Sequence, residues 1–215
     1  MIVELSHRIT DGMITYPGIP APKVTAHLTR EGSREVYAPG TEFHIGMITM
    51  AANTGTYLDT PFHRYPDGPD LSQVPVSKLA DLPGLVVRAQ GGGREIVLDQ
   101  RLDVRRRAVL IHTGWDRHFG TDAYFHGHPY LAPESAKWLA GQGAALVGID
   151  SLNIDDTPPQ GERPAHTILL EAGIPLVEHM TGLAQLPDRG FRFHAAPPMV
   201  AGMGTFPVRA YAVVP

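Results

Sequence analysis

The chain of 215 residues contains no cysteine. That excludes disulfides, thiolate metal sites and a cysteine nucleophile. Any metal must be held by His, Asp, Glu or weaker oxygen ligands, a donor set that favours zinc, manganese or similar divalent ions. No apolar run approaches the roughly 20 residues of a membrane span. Long basic runs are missing too; Arg105-Arg106-Arg107 is a short cluster before a strand-like segment. With a formal net charge of −4 there is no electrostatic case for nucleic acid or an anionic membrane. The first residues, Met1 to Arg8, mix acid and base and lack the apolar stretch of a signal peptide. A cytoplasmic location is expected.

What is present is ordinary for a globular chain: 43% hydrophobic and 19% charged residues. The length can bury a real core, and no linker or repeat divides it, so residues 1–215 read as one domain. Strand patterns are expected at Ile2–Leu5, Val24–Thr29, Gly84–Ala89, Arg107–His112, Ala144–Asp150, Ile174–Glu178, Phe191–His194 and Val208–Val214. Phe43–Met50 has the β-branched and apolar content of a buried strand. Pro133–Gly143 reads as a helix, with proline and acid at its front and glycine behind. Ala165–Ala172 reads as a second helix, stopped by Gly173. Strand, helix, strand in that order predicts a parallel pair and an α/β fold.

The chemistry concentrates around Asn53-Thr-Gly-Thr-Tyr57-Leu-Asp59-Thr-Pro61-Phe-His63. It reads as a strand end running into a stiff turn, a common way to hold an acid and a base over a pocket. Pro61 argues against placing Asp59 and His63 on one helical face. The same residues also suit a plain Pro/Gly turn. Further on, His166 opens a helix and Glu178 ends a strand. A helix-then-strand return would bring both to one side of the sheet. Together these four side chains suffice for one divalent cation and one spare base. Singly, each also suits a cap or a solvated surface position.

Here the chain resembles the putative cyclases, the family that includes bacterial kynurenine formamidase and isatin hydrolase. Their signature is H-x-G-T-H-x-D-x-P-x-H, and residues 53–63 follow it from Gly55 onward apart from Tyr57. Supporting segments are Tyr16-Pro-Gly18, Leu146-Val-Gly-Ile-Asp150-Ser151, the His166…Glu178 pair and Pro207-Val-Arg-Ala210. The resemblance implies a swivelling β/β/α fold with a mixed sheet, a homodimer or higher homo-oligomer, and metal-dependent hydrolysis of an amide or lactone. Carried over, Asp59, His166 and Glu178 match metal positions, and His63 matches the base or proton shuttle. Two family histidines are replaced, by Asn53 and Tyr57. Asn binds zinc weakly and neutral Tyr is a poor ligand. One family metal site is thereby lost, leaving one ion per subunit on Asp59, His166 and Glu178.

The expected mechanism has zinc or manganese lowering the pKa of a bound water, with His63 as general base toward a small-molecule carbonyl substrate. Asn53 and Tyr57 would face the pocket, Tyr57 as a donor to a developing oxyanion. Tyr16, Phe62, Tyr65 and Trp115 are candidates for a substrate wall and equally suit core packing. Two other readings stand beside this one. In the first, the scaffold has lost metal and catalysis and binds a ligand or partner. In the second, Asp59 and His63 act as a metal-free dyad on a cyclic substrate.

Overall fold

Short apolar segments bounded by Gly, Pro and Asp become strands, and the two longer periodic segments become helices. The computed structural model describes every residue from Met1 to Pro215. The first half contributes β1 (Ile2–Glu4), β2 (Lys23–Leu28), the single turn α1 (Arg30–Ser33), β3 (Ile45–Thr49) and β4 (Tyr57–Asp59). Then come β5 (Leu82–Arg88), β6 (Glu95–Ile96), β7 (Ala108–His112) and β8 (Tyr130–Leu131). The second half adds α2 (Pro133–Gln142), β9 (Leu146–Ile149), α3 (Pro164–Glu171) and β10 (Leu176–Glu178). The chain closes with β11 (Arg189–His194), β12 (Thr205–Pro207) and β13 (Tyr211–Val213).

Nine strands form one mixed sheet in the order β1-β13-β11-β5-β7-β9-β10-β4-β12. The central β5, β7, β9 and β10 run parallel. Every flanking pair is antiparallel. A helix lies between each of the last two pairs of parallel strands in sequence, as a parallel crossover requires. Side chains alternate across the sheet. On β7, Ala108 and Leu110 join one core cluster, and Val109 and Ile111 join the other. The second cluster also takes Ala136 and Leu139 of α2 and Ala165, Leu169 and Leu170 of α3, so the helices cover that face. The first closes against the curled terminal strands through Phe193, Ala210 and Ala212. The fold is therefore a mixed α/β fold built on a curled mixed sheet.

This alternation aims the chemistry. Leu58 and Val177 point into the first cluster, and Leu176 into the second. Their neighbours Tyr57, Asp59 and Glu178 therefore project to the helix side. The register pairs Glu178 with Tyr57 and Leu176 with Asp59.

Three sequence expectations need correction. Phe43–Met50 does not enclose a buried strand: β3 pairs only with β2, and every residue of β3 is exposed. Apolar content marks a strand, but what covers it is decided outside the strand itself. Residues 53–63 are not merely a strand end, since Tyr57–Asp59 is itself a strand between β10 and β12. Val208–Val214 shortens to Tyr211–Val213, while Thr205–Pro207, outside every expected strand, pairs with β4.

Candidate active site

Asp59 is the last residue of β4 and is wholly buried. Thr60 then leads into a 3-10 turn, Pro61–His63, with proline at its start, where no amide hydrogen is needed. That turn carries His63, whose side chain is 36% exposed. His63 Nδ1 lies 3.7 Å from Asp59 Oδ1 and 2.8 Å from Thr205 Oγ1. The Thr205 hydroxyl also contacts Asp59 Oδ1.

His166 sits in the first turn of α3 on its buried face. Asp155 holds it there. One Asp155 oxygen accepts from the Ala165 amide at 2.6 Å, and the other from the His166 amide at 3.1 Å. This carboxylate therefore caps two free amides at the positive end of the helix. The second oxygen also lies 2.7 Å from His166 Nδ1. Since an ionised carboxylate only accepts, Nδ1 carries the hydrogen and Nε2 points away toward the sheet. There Nε2 lies 3.7 Å from Asp59 Oδ2 and 3.6 Å from Glu178 Oε1.

Glu178 is 1% exposed. Its Oε1 accepts from the Ile154 amide at 2.7 Å, and its Oε2 accepts from Tyr57 Oη at 2.8 Å and Asn153 Nδ2 at 3.4 Å. Burial raises the Glu178 pKa to about 7, with the Asp59 charge adding to it and His166 opposing. Burial alone would also lower the His166 pKa, yet Glu178, Asp155 and Asp59 raise it well above 6.5. For Asp59 burial pushes upward, but His166, His63 and Thr205 bring the pKa below its ordinary value. The three carboxylates around His166 thus call for a positive charge at this point.

Asp59 Oδ2 is buried and has no hydrogen-bond partner. Leaving such an oxygen dry costs on the order of 1–3 kcal/mol or more. Two nitrogen or oxygen ligands of one tetrahedral ion sit about 3.4 Å apart, given metal–ligand bonds near 2.1 Å. The facing Asp59 Oδ2 and His166 Nε2 come close to that separation. Ligand atoms of Asp59, His63 and His166 all lie within 4.8 Å of one another, a trio that includes His63 and leaves out Glu178, whose Oε1 is close to His166 Nε2 alone among them at 3.6 Å. The donor set therefore fits a divalent cation. An adjoining cavity of about 320 Å³ is lined by His63, His166, Asn153, Arg64 and Arg163, with Gly161 and Glu162.

Asp59, His63, His166 and Glu178 thus come together from three separate stretches of the chain: β4 with the turn after it, α3 and β10. Tyr57 does not face the cavity as an oxyanion donor: it is 3% exposed and its hydroxyl donates to Glu178. Burial raises its pKa well above 10, Glu178 and Asp59 add to this, and the Asn53 side chain opposes. Asn53 does not line the cavity. None of the four aromatic candidates lines it either. Tyr65 donates to the Thr167 carbonyl at 3.0 Å and ties the turn to α3. Trp115 Nε1 donates to the Tyr124 carbonyl at 3.0 Å. Phe62 and Tyr16 are half-buried elsewhere.

Sequence reasoning missed Asn153, Asp155 and Thr205. The acid-rich run Asp150 to Asp156 just past a strand is a signal for the first two. Nothing local marks Thr205.

A family model described as Putative cyclase matches residues 3–156. The chain is 26% identical over 212 residues to a kynurenine formamidase of Bacillus cytotoxicus, covering 97% of this chain and 95% of that protein. It is 28% identical over 160 residues to the kynurenine formamidase of Erythrobacter litoralis, covering 74% and 71%. A solved structure described as a potential metal-dependent hydrolase with cyclase activity superposes with TM-score 0.79 at 25% identity, covering 99% of this chain and 96% of that one. Isatin hydrolase A from Ralstonia solanacearum shares the fold with TM-score 0.84 at 21% identity, covering 100% and 92%. The matched model spans most of the chain and the fold agrees throughout, so this protein belongs to the putative cyclase family.

Proposed function

We propose that this protein is a metal-dependent hydrolase that cleaves an amide, either a formamide or a cyclic amide, or a lactone. The observation that carries the reading is the buried, unpartnered Asp59 oxygen 3.7 Å from His166 Nε2, the ring nitrogen that Asp155 leaves free. The kynurenine formamidases it resembles support the amide class.

Asp59, His166 and Glu178 would hold one divalent ion, zinc or manganese. Such an ion supplies Lewis acidity and lowers the pKa of water it binds. His63 lies on the open side of this cluster, where a substrate and water can reach it. It takes a proton as water adds to the substrate carbonyl and returns it to the leaving nitrogen or oxygen. Asp155 keeps the His166 ring in one tautomer. Tyr57 and the Ile154 amide fix the two Glu178 oxygens. The cavity volume suits a small molecule.

The test uses N-formylkynurenine and isatin as probe substrates, with metal content measured by elemental analysis. His63→Ala should cut turnover by about 10²–10⁴ while bound metal is retained. Loss of the metal instead would make His63 a ligand in place of Glu178, as its proximity to Asp59 and His166 allows. Full turnover of the metal-stripped protein would overturn the metal role.

Assembly as a homodimer is part of the same reading. The β2–β3 ribbon exposes Val24, Ile45, Met47 and Ile48, with Phe43 exposed just before β3, and it pairs with no other strand. An apolar ribbon of this kind needs a cover, and a second copy supplies one by symmetric pairing.

A further inference from the structure

The Thr205 side chain is 3% exposed and meets two groups of unequal character. Thr205 opens β12 at the sheet edge, directly opposite Asp59 on β4. Its hydroxyl contacts Asp59 Oδ1 and lies 2.8 Å from His63 Nδ1. A hydroxyl has one proton to donate, and a carboxylate can only accept. Thr205 therefore donates to Asp59. Toward His63 it can then only accept, so His63 Nδ1 must carry the hydrogen. The nitrogen left with a lone pair is Nε2. Asp59 and His63 are 3.7 Å apart, too far to settle this directly.

We infer that Thr205 is a positioning residue that bridges Asp59 to His63 and holds His63 in the Nδ1–H tautomer, with Nε2 free to accept a proton. This rests on His63 being the base, as proposed above. The bridge also divides the labour of Asp59. Oδ1 is engaged by the hydroxyl, while Oδ2 stays unpartnered toward His166. Were His63 to bond Asp59 directly, base and cation would compete for one carboxylate.

The backbone fixes the bridge on both sides. The Gly204 carbonyl accepts from the Thr60 amide at 2.7 Å and from Thr60 Oγ1 at 3.1 Å. A Cβ on Gly204 would lie 2.2 Å from the His63 amide nitrogen. The start of β12 is thus pressed onto the turn that carries His63, and no side chain fits between them.

The test reads the ring directly. In ¹⁵N-histidine-labelled, zinc-loaded protein above the titration range of histidine, His63 should show a protonated Nδ1 and an unprotonated Nε2. Free histidine favours the opposite tautomer. Thr205→Val keeps the shape and removes the hydroxyl; it should release the tautomer and lower kcat about 10–100-fold, with KM unchanged. Thr205→Ser should restore both. An Nε2–H signal for His63 in the unmutated protein would overturn the proposal, as would a Thr205→Val protein with the same tautomer and the same kcat. The unmutated measurement stands even if Thr205→Val fails to fold. Should neither probe substrate be hydrolysed, the hydrolase reading falls, while the tautomer still decides the bridge.

Discussion

Single side chains here act through the hydrogen bonds that orient them. Asp155 is the clearest case, joining the amides of Ala165 and His166 to the His166 ring. In Asp155→Asn, one position beside the ring becomes a donor. The His166 tautomer is then contested. Zinc affinity, followed by calorimetric titration, should fall about 10–100-fold; unchanged affinity would sever Asp155 from the site. A second case is His179, wholly buried between the hydroxyls of Tyr57 and Tyr124, at 3.3 and 2.9 Å. Burial lowers its pKa from 6.5 to about 3. The unfolded chain therefore binds a proton at this residue between pH 6.5 and about 3 while the folded chain does not. Its share of stability is complete above pH 6.5 and is lost as pH falls toward 3. Glu178 and Asp150, raised to about 7 and about 6, work in the opposite direction, so the effect belongs in a difference measurement. Denaturant unfolding of wild type and His179→Gln across that window should show the variant with the shallower loss on acidification. Parallel curves would show that His179 does not titrate as its burial demands.

Among elements, three-residue strands do the positioning. β4 spans only Tyr57–Asp59, yet its alternation sends Leu58 to one core and both neighbours to the helix side. Asp59 then meets Thr205 across one edge, and Tyr57 meets Glu178 across the other. Such registers are rigid because a one-residue slip would turn Leu58 out and the carboxylate in. Gly204 is where this precision is most exposed to substitution. In Gly204→Ala the new methyl would overlap backbone atoms of Phe62 and His63, which cannot swing aside as a side-chain tip would. The expected cost is about 1–3 kcal/mol in denaturant unfolding, accompanied by loss of turnover. A variant with native stability and native rate would mean that β12 can stand off from the turn.

At the scale of the molecule, two apolar clusters on opposite faces of one sheet account for the body, and the β2–β3 ribbon lies outside both. Fully burying one Leu or Ile side chain contributes about 1.5–3 kcal/mol, so a ribbon with this many exposed apolar groups forgoes much of its driving force as a single chain. Sedimentation velocity should find a dimer for the native protein. Ile45→Glu combined with Met47→Glu should give a monomer whose body stays folded, since neither residue belongs to a core cluster. A native monomer, or a double variant that remains dimeric, would remove the ribbon from the interface. No helix is long and apolar enough to cross a membrane.

Much of this architecture was legible in the amino-acid order. The parallel strands and both long helices follow from periodicity, caps and glycine stops, which are local properties. Asp59, His63, His166 and Glu178 were legible because a family pattern and their places at element ends marked them. Thr205 was not, because it acts on residues more than 140 positions away and its type is not unusual where it stands; Asp155 had a signal in the acid-rich run around it, but only the fold shows which ring it holds. The same holds for Tyr57: its place in the family signature put a hydroxyl near the site, and only the β4–β10 register turned it onto Glu178. Phe43–Met50 shows the limit from the other side, since apolar residues announce that a surface will be covered without saying by what. Local order thus determined which segments became strands and helices and which residue types were available for chemistry. Direction, partner and tautomer waited on the folded chain, because a hydrogen bond depends on distances that only long-range strand pairing sets.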